Sequence, residues 1–444
     1  MERSLSLTSL KIHKSTKLIT LTTIQNFTWS LLVFLSLSLP VYIQKVKIVL
    51  LAVLLVISLI KIFLHQCKFS LSMVRLGLIW LAFAVPVFLI GFIRGNVGAM
   101  AFFKIQIFYP VLLFVCVATI RNRKCLDWTV KAIFCSALFI SLYTFAFLLY
   151  SLGKWPLPFF WIIDDISGAS IHSGYSHITT THLSMMMFIF PLLCGLSKKE
   201  RIKLKIKPFF FYLTILLSFI AIFLSGRRIL WIAAAVGILI LIIRLEVSLR
   251  KKLLFIGILM AVGIVLFFVL VSRFNLSLEG LVDRFKEAFS EYDEYGQENV
   301  RYIQMAKLLE GFKNNLWIGA GGGATIKGYL RNEASPWIFE ASYHTILFNG
   351  GIIFSTFYVI FFIYFLRLIF KNCRKTLYAI PILLALVCVL IGNSTNPYFS
   401  GSFDFLILLF VPLLFVINKR QYYPCIYIKK GPHLIALYDK FVRV

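Results

Sequence analysis

Ser225-Gly226-Arg227-Arg228 joins two long apolar runs so tightly that both guanidinium groups must lie at the surface of whatever buries those runs. Guanidinium forks bind phosphate bidentately and keep their charge at any working pH, so Arg227 and Arg228 suit a clamp for a phosphorylated ligand. Two arginines at a bilayer surface can also simply snorkel to lipid phosphates. A third cation, Arg301, lies on a segment of helical spacing and is followed by Gly311-Phe312 and by Gly319-Ala320-Gly321-Gly322-Gly323. A glycine run lets backbone amides approach an anion, but this one lacks the lysine and hydroxyl of a phosphate-binding loop and follows no strand. It reads rather as a flexible turn returning the chain to the next apolar run. Glu340-Ala341-Ser342-Tyr343-His344 offers a carboxylate and an imidazole, either of which can act as general base toward a hydroxyl. Spacing does not choose between Glu340 and His344, and a glutamate at a helix start is also favoured by the helix dipole alone.

Other reactive residue types make weaker patterns. His172, His177 and His182 do not share one helix face, so they do not form a metal site, and no zinc-type cysteine spacing occurs. Of the eight cysteines, Cys67, Cys125, Cys373 and Cys425 are expected on the cytoplasmic side. Cys116, Cys135, Cys194 and Cys388 are expected within helices, leaving no outward thiol for a disulfide. Asn396-Pro397-Tyr398 reads by itself as a turn.

The elements that carry these residues belong to a membrane. Hydrophobic residues make up 60% of the 444 positions and charged residues 14%, against about 25% charge in a soluble domain. A water-soluble fold of this composition could not cover its own surface. A hydrocarbon core of roughly 30 Å needs about 20 mostly apolar residues per crossing, and such runs recur along the chain. They predict an all-α polytopic protein with about twelve transmembrane helices, at 25–44, 48–64, 76–93, 99–120, 130–151, 181–197, 208–225, 229–244, 253–272, 344–366, 376–392 and 402–418. The first run is long and soon followed by a second, so no cleavable signal peptide is expected.

The net charge of +28 would suggest nucleic acid in a soluble protein, but here the basic residues cluster between apolar runs as topology signals. With both termini in the cytoplasm, the clusters at 121–124, 198–207, 250–252 and 371–375 all fall on one side. Residues 1–272 then carry nine helices, 273–342 form a large outward loop subdomain, and 343–444 carry three helices and a cytoplasmic tail. The loop holds ten of the eighteen acidic residues. Its pieces 279–289 and 297–313 have helical spacing, with Val300, Ile303, Ala306, Leu308 and Leu309 as the apolar face, and are expected to lie over the membrane surface. A second outward loop, 152–180, carries an aromatic girdle of Trp155, Phe159, Phe160 and Trp161. Lys61, Lys104, Arg244 and Asp404 lie near helix ends, which argues against an ion-coupled transporter with a midplane site.

Several stretches resemble the bacterial O-antigen polymerases and O-antigen ligases. LSGRRILW at 224–231 is similar to that family's Ser/Thr-Gly-x-Arg segment and places Arg228 on its arginine. NVRYIQMAKLLEGFKNNLWIGAGGG at 299–323 is similar to its Arg…Gly-x-Gly stretch and places Arg301 on the second arginine. WIFEASYHTILFNGGIIF at 337–354 looks like the polymerase-type Glu-x-x-Tyr segment, and NPYFSGSFD at 396–404 like an Asn-Pro-Tyr element of many polymerases. The resemblance implies a GT-C-like glycosyltransferase in the bacterial inner membrane that joins undecaprenyl-pyrophosphate-linked repeat units on the periplasmic face. Arg227, Arg228 and Arg301 would hold the pyrophosphate, and Arg301 would also stabilise charge as the glycosyl bond breaks. Glu340 or His344 would take the acceptor's proton, with inversion and with neither metal nor cofactor. The implied partners are the carrier-linked oligosaccharide, membrane lipids, a chain-length regulator and a flippase, without nucleic acid. Ligase-like members carry His-Asn where this chain has His344-Thr345, which favours a polymerase over a ligase that moves polymer to lipid A-core. A flippase for lipid-linked oligosaccharide is a third reading.

Overall fold

A backbone crossing a bilayer finds no water to bond, so apolar runs of these lengths satisfy their own N–H and C=O groups as helices. The computed structural model describes residues 21–64, 70–120, 122–151, 156, 169–172, 175–178, 180–244, 257, 300–330, 333–372 and 378–417. The chain begins with α1 (21–38), α2 (Gln44–Phe63), α3 (Leu71–Ile93), α4 (Ala99–Thr119) and α5 (Arg123–Ser151). A two-stranded antiparallel hairpin follows, β1 (Ala169–His172) and β2 (Tyr175–Ile178), in the loop expected to carry only the aromatic girdle. Then come α6 (Thr181–Cys194), α7 (Lys198–Lys203), α8 (Pro208–Leu224), α9 (Arg228–Arg244) and α10 (Val300–Asn314). The described chain closes with α11 (Ser342–Asn372), α12 (Ala379–Asn393), α13 (Tyr398–Gly401) and α14 (Phe403–Ile417).

Among the described residues five helices, α2, α3, α4, α5 and α11, are long and apolar enough to cross a membrane, and α6, α8, α12 and α14 are shorter apolar helices. The chain is a multi-pass membrane protein. The expected span 253–272 (but for residue 257) and helix 279–289 lie outside the described residues, as do Trp155, Phe159, Phe160, Trp161, Cys67, Cys373 and Cys425. Residues Met186–Cys194 of α6 are wholly buried, because α6 is packed between α9 and α12, while α11 lies along α3.

Two helices are broken where the sequence shows continuous apolar runs, and each break has a cause. In α4 a π-helical turn, Lys104–Phe108, precedes Pro110. Proline has no N–H to return to the carbonyl four residues back. The orphaned Gln106 carbonyl instead accepts the Trp80 indole N–H at 2.6 Å, and the Gln106 amide donates to the Phe399 carbonyl at 2.8 Å. In α11 Gly351 adopts φ 59°, ψ −167°, splitting the helix into arms 342–350 and 352–372. The second arm alone is about 30 Å long at ~1.5 Å per residue and suffices for the hydrocarbon.

The break in α11 is filled by the glycine run. Ile352 and Ile353 donate to the carbonyls of Leu316 and Trp317 at 2.8 and 3.1 Å. In return Ala320 and Gly321 donate to Phe348 and Asn349 at 2.8 and 2.9 Å. On its other side the run meets α3 and the turn after it: Gly322 donates to Val87 at 2.7 Å, and Arg94 Nη1 donates to the Gly319 carbonyl at 2.7 Å. A Cβ added to Gly91 would stand 2.2 Å from the Gly322 carbonyl oxygen. Residues 319–323 are therefore a packed wedge between α3 and α11 rather than the expected flexible turn. The amides of Ala320, Gly321 and Gly322 bond to protein carbonyls and do not form an anion cradle.

Candidate functional site

The arginine turn is rigid. Gly226, at φ 63°, supplies the left-handed step between α8 and α9 that a side chain would strain. Ser225 Oγ accepts from the Arg227 amide at 3.1 Å, and the Ser225 carbonyl accepts from the Ile178 amide at 3.1 Å, which ties β2 to the turn. Arg227 Nη1 donates to Ser184 Oγ at 2.5 Å, so this guanidinium is held against the first turn of α6 instead of being directed only to lipid. Ser184 is 4% exposed, and its neighbour His182 is buried against the Tyr143 ring at a centroid distance of 4.8 Å. Arg228 is the first residue of α9 and is half-buried.

α10 presents a different face from the one its apolar spacing suggests. Val300 is 59% exposed and Leu309 37%, whereas Gln304 and Leu308 are buried. The inward stripe is Arg301, Gln304, Met305 and Leu308, at i, i+3, i+4 and i+7. Leu308 joins Phe339, Ala341 and Phe348 in a small core under the loop. Gln304 Oε1 accepts from the amides of Glu340 and Ala341 at 2.7 and 3.0 Å, and its Nε2 donates to the Tyr329 hydroxyl at 3.2 Å. A mid-helix glutamine thus anchors the stretch before α11, a role that its type and position do not announce. One turn back, Arg301 Nε donates to Glu340 Oε2 at 2.7 Å, with side chains 39% and 22% exposed. The structure pairs the expected pyrophosphate ligand with one of the two expected bases. His344 stands half-buried one turn further on, in the first arm of α11.

The C-terminal end of α12 connects the two groups. The Tyr343 hydroxyl donates to the Leu390 carbonyl at 2.6 Å. Two residues on, a Cβ on Gly392 would meet Ile229 of the first α9 turn at 3.4 Å and Tyr398 at 3.6 Å. Ile229 and Tyr343, the chain neighbours of Arg228 and His344, therefore both reach the end of one helix. The Asn-Pro-Tyr element closes the arrangement, since Ser342 Oγ donates to the Asn396 carbonyl at 2.9 Å.

One charged group at this end escaped the sequence reading. Lys47, on α2, donates to Asp404 Oδ1 at 2.6 Å, and both side chains are fully buried. Asp404 also accepts from the Val41 amide at 2.8 Å and the Gln44 side chain at 2.6 Å. The first turn of α2 is thereby fixed to the start of α14. Asp404 is thus more than a helix-end charge, and Lys47, which the spacing places in the connection before the span 48–64, lies within α2 and is buried.

Fold and site together define a multi-pass α-helical membrane protein that gathers arginines, a carboxylate and an imidazole at one end of its bundle. Residues 213–350 match the family described as O-antigen ligase, the family that the sequence stretches resemble. The match runs from α8 through the arginine turn, Arg301, Glu340 and His344 to the break in α11. No curated protein matches the chain.

Proposed function

We propose that the protein is an O-antigen polymerase, which transfers a growing glycan from undecaprenyl pyrophosphate onto the terminal sugar of a new carrier-linked repeat unit at the periplasmic face of the inner membrane. The observation that carries this reading is the Arg301–Glu340 pair at 2.7 Å, within the segment that matches the O-antigen ligase family. Three residues after Glu340, Tyr343 reaches the end of α12, which Ile229 in the first turn of the arginine-bearing helix α9 also approaches. Pyrophosphate is a good leaving group, so the donor needs no nucleotide.

In this mechanism the acceptor hydroxyl attacks the anomeric carbon of the donor, the new glycosidic C–O bond forms, and the bond to the pyrophosphate oxygen breaks. The electron pair leaves with the pyrophosphate, whose charge Arg227, Arg228 and Arg301 stabilise. Binding of the diphosphate draws Arg301 from Glu340, and the released carboxylate takes the acceptor's proton; His344 is the alternative base. Guanidinium groups fill the cationic role that a metal ion plays in other phosphoryl chemistry.

The ligase is the second reading, and the family's description favours it. Against it, His344 is followed by Thr345, whose hydroxyl donates to the Ala341 carbonyl at 3.0 Å, where ligase-like members carry asparagine. A lipopolysaccharide gel from a deletion strain, read with an assay for carrier-linked polymer, separates the possibilities. Loss of a polymerase leaves core plus one repeat unit, and this is the expected result. Bare core with polymer stranded on its carrier would identify a ligase, and bare core with no outward polymer a flippase.

A further inference from the structure

A cavity of about 390 Å³ opens at the loop end of the bundle, between the start of α2, α4, the first arm of α11, residues 335–339 and the 399–403 turn. This volume lies within the roughly 300–1,000 Å³ of small-molecule sites. The exposed residues of its lining, Val41, Ile48, Lys104, Ser400 and Gly401, mark a mouth between α2, the π turn of α4 and α13. α2 packs along Tyr109–Thr119 of α4, and the mouth opens beyond that contact, toward the loop end. Beside it Val49 and Phe108 are exposed on two membrane-spanning helices. Such apolar surface faces lipid, so the mouth is reached from the bilayer.

Inward, the cavity reaches Phe83 of α3 and Tyr358 of the second arm of α11. At ~1.5 Å per residue these lie about 9–15 Å inside the spanning helices. With Phe102 and Phe399 they make the deep wall aromatic. Among the described lining residues Lys104 alone is charged. Its ammonium stands 5.8 Å from the centroid of the Tyr109 ring, another lining residue, which is within cation–π range. The nearby Lys47 adds no free charge, because Asp404 neutralises it at 2.6 Å. A cation without a counter-ion beside a low-dielectric cleft favours an anionic head. A polyprenol or diacylglycerol would cover the walls and leave that charge unbalanced. Inorganic phosphate or a sugar phosphate would balance the charge and leave the aromatic depth empty. A lipid with a phosphate head does both.

We infer that this cleft binds a phosphate-headed lipid entering from the bilayer, with its phosphate on Lys104 and its chain against Phe83, Phe102 and Tyr358. Ser342 and Thr345, on either side of His344, also line the cavity. On the glycan-transfer reading the lipid held here is therefore the carrier of the second substrate. The binding itself does not depend on that reading, since a phospholipid of the bilayer has the same chemistry.

The test uses the purified full chain in detergent, with undecaprenyl phosphate, phosphatidylglycerol and undecaprenol as probes and native mass spectrometry as the readout. Arg228→Ala and Arg301→Ala are present throughout, so that the arginines contribute no phosphate binding. At least one of the two phosphates should bind about tenfold more tightly than undecaprenol, the worth of one hydrogen bond to a charged group. Lys104→Met should abolish that preference and Lys104→Arg should keep it. In the chain with its arginines intact, a diazirine beside the phosphate of the tighter ligand should label residues 41–48 and 99–109. Tighter binding of undecaprenyl phosphate identifies the carrier as occupant, and equal or tighter binding of phosphatidylglycerol a bilayer phospholipid; both support the site. Equal binding of phosphates and undecaprenol overturns it, as does a preference that survives Lys104→Met. Labelling spread around all the spanning helices also overturns it, because Lys104 then only snorkels to surrounding lipid. None of these results uses the polymer ladder, so the cleft can fail while Arg301→Ala still abolishes polymer, and the polymerase reading can fail while the cleft still binds its lipid.

Discussion

Replacing Arg301 and Glu340 singly, and then exchanging them, distinguishes a substrate clamp from a structural ion pair. The Arg301 side chain is 39% exposed and that of Glu340 22%, so water and salt screen the pair, and its loss costs on the order of 1 kcal/mol or less. α10 keeps its anchors in either variant, because Gln304 still holds the amides of Glu340 and Ala341 and Leu308 stays in its small core. Arg301→Ala and Glu340→Gln should therefore be expressed and unfold at nearly the wild-type temperature. A cation that stabilises the departing pyrophosphate acts in the transition state, and removing one such donor costs about 2.7–4 kcal/mol, or roughly 10²–10³ in rate. Both variants should show core plus one repeat unit in place of the polymer ladder. The exchange Arg301→Glu with Glu340→Arg rebuilds an ion pair but presents a carboxylate where the diphosphate binds, so its ladder should remain absent. A ladder restored by the exchange, or a normal ladder from Arg301→Ala, refutes the clamp.

Three further outcomes follow from the packing. Asp404→Ala strands the fully buried Lys47 ammonium and should cost about 3–5 kcal/mol, whereas Lys47→Met with Asp404→Leu recovers most of it; thermal unfolding in detergent measures both, and an Asp404→Ala protein of normal stability contradicts the burial. Gly91→Ala drives a methyl into the Gly322 carbonyl and should destabilise by at least ~1–3 kcal/mol, read as loss of folded protein on size-exclusion chromatography. Trp80→Phe orphans the Gln106 carbonyl at about 1–3 kcal/mol; Pro110→Ala, which supplies a helical N–H to that carbonyl, should make the loss smaller, and equal losses with and without it would remove proline as the cause of the π turn.

The helices were legible because their signal is local: apolar runs long enough to span, separated by basic clusters or polar turns. The arginine turn was legible for the same reason, since two cations between adjoining runs have nowhere to go but the helix ends. What was hidden depends on distant partners. Lys47 meets its counter-ion 357 residues away, and nothing near it in sequence marks it as buried. Gly351 reads as a weak helix former within a Gly-Ile-rich run, and it breaks the helix because residues 316–321 arrive to bond the freed groups. The same tertiary contact turns the glycine run from an expected flexible turn into a wedge. In α10 the helix was legible but its inward face was not, because Gln304 and Arg301 point inward to bond the Glu340 segment while Val300 and Leu309 face outward. The Arg301–Glu340 contact was likewise beyond sequence reasoning, which placed both residues in one site without pairing them.

Reconstitution addresses the central claim most directly: purified protein in proteoliposomes is given undecaprenyl-pyrophosphate-linked repeat units in the presence of a metal chelator. The account predicts a ladder of longer carrier-linked glycans, with one undecaprenyl pyrophosphate released for each bond formed and neither product from Arg228→Ala or Arg301→Ala. Movement of the substrate across the bilayer with no bond formed and no pyrophosphate carrier released would contradict it.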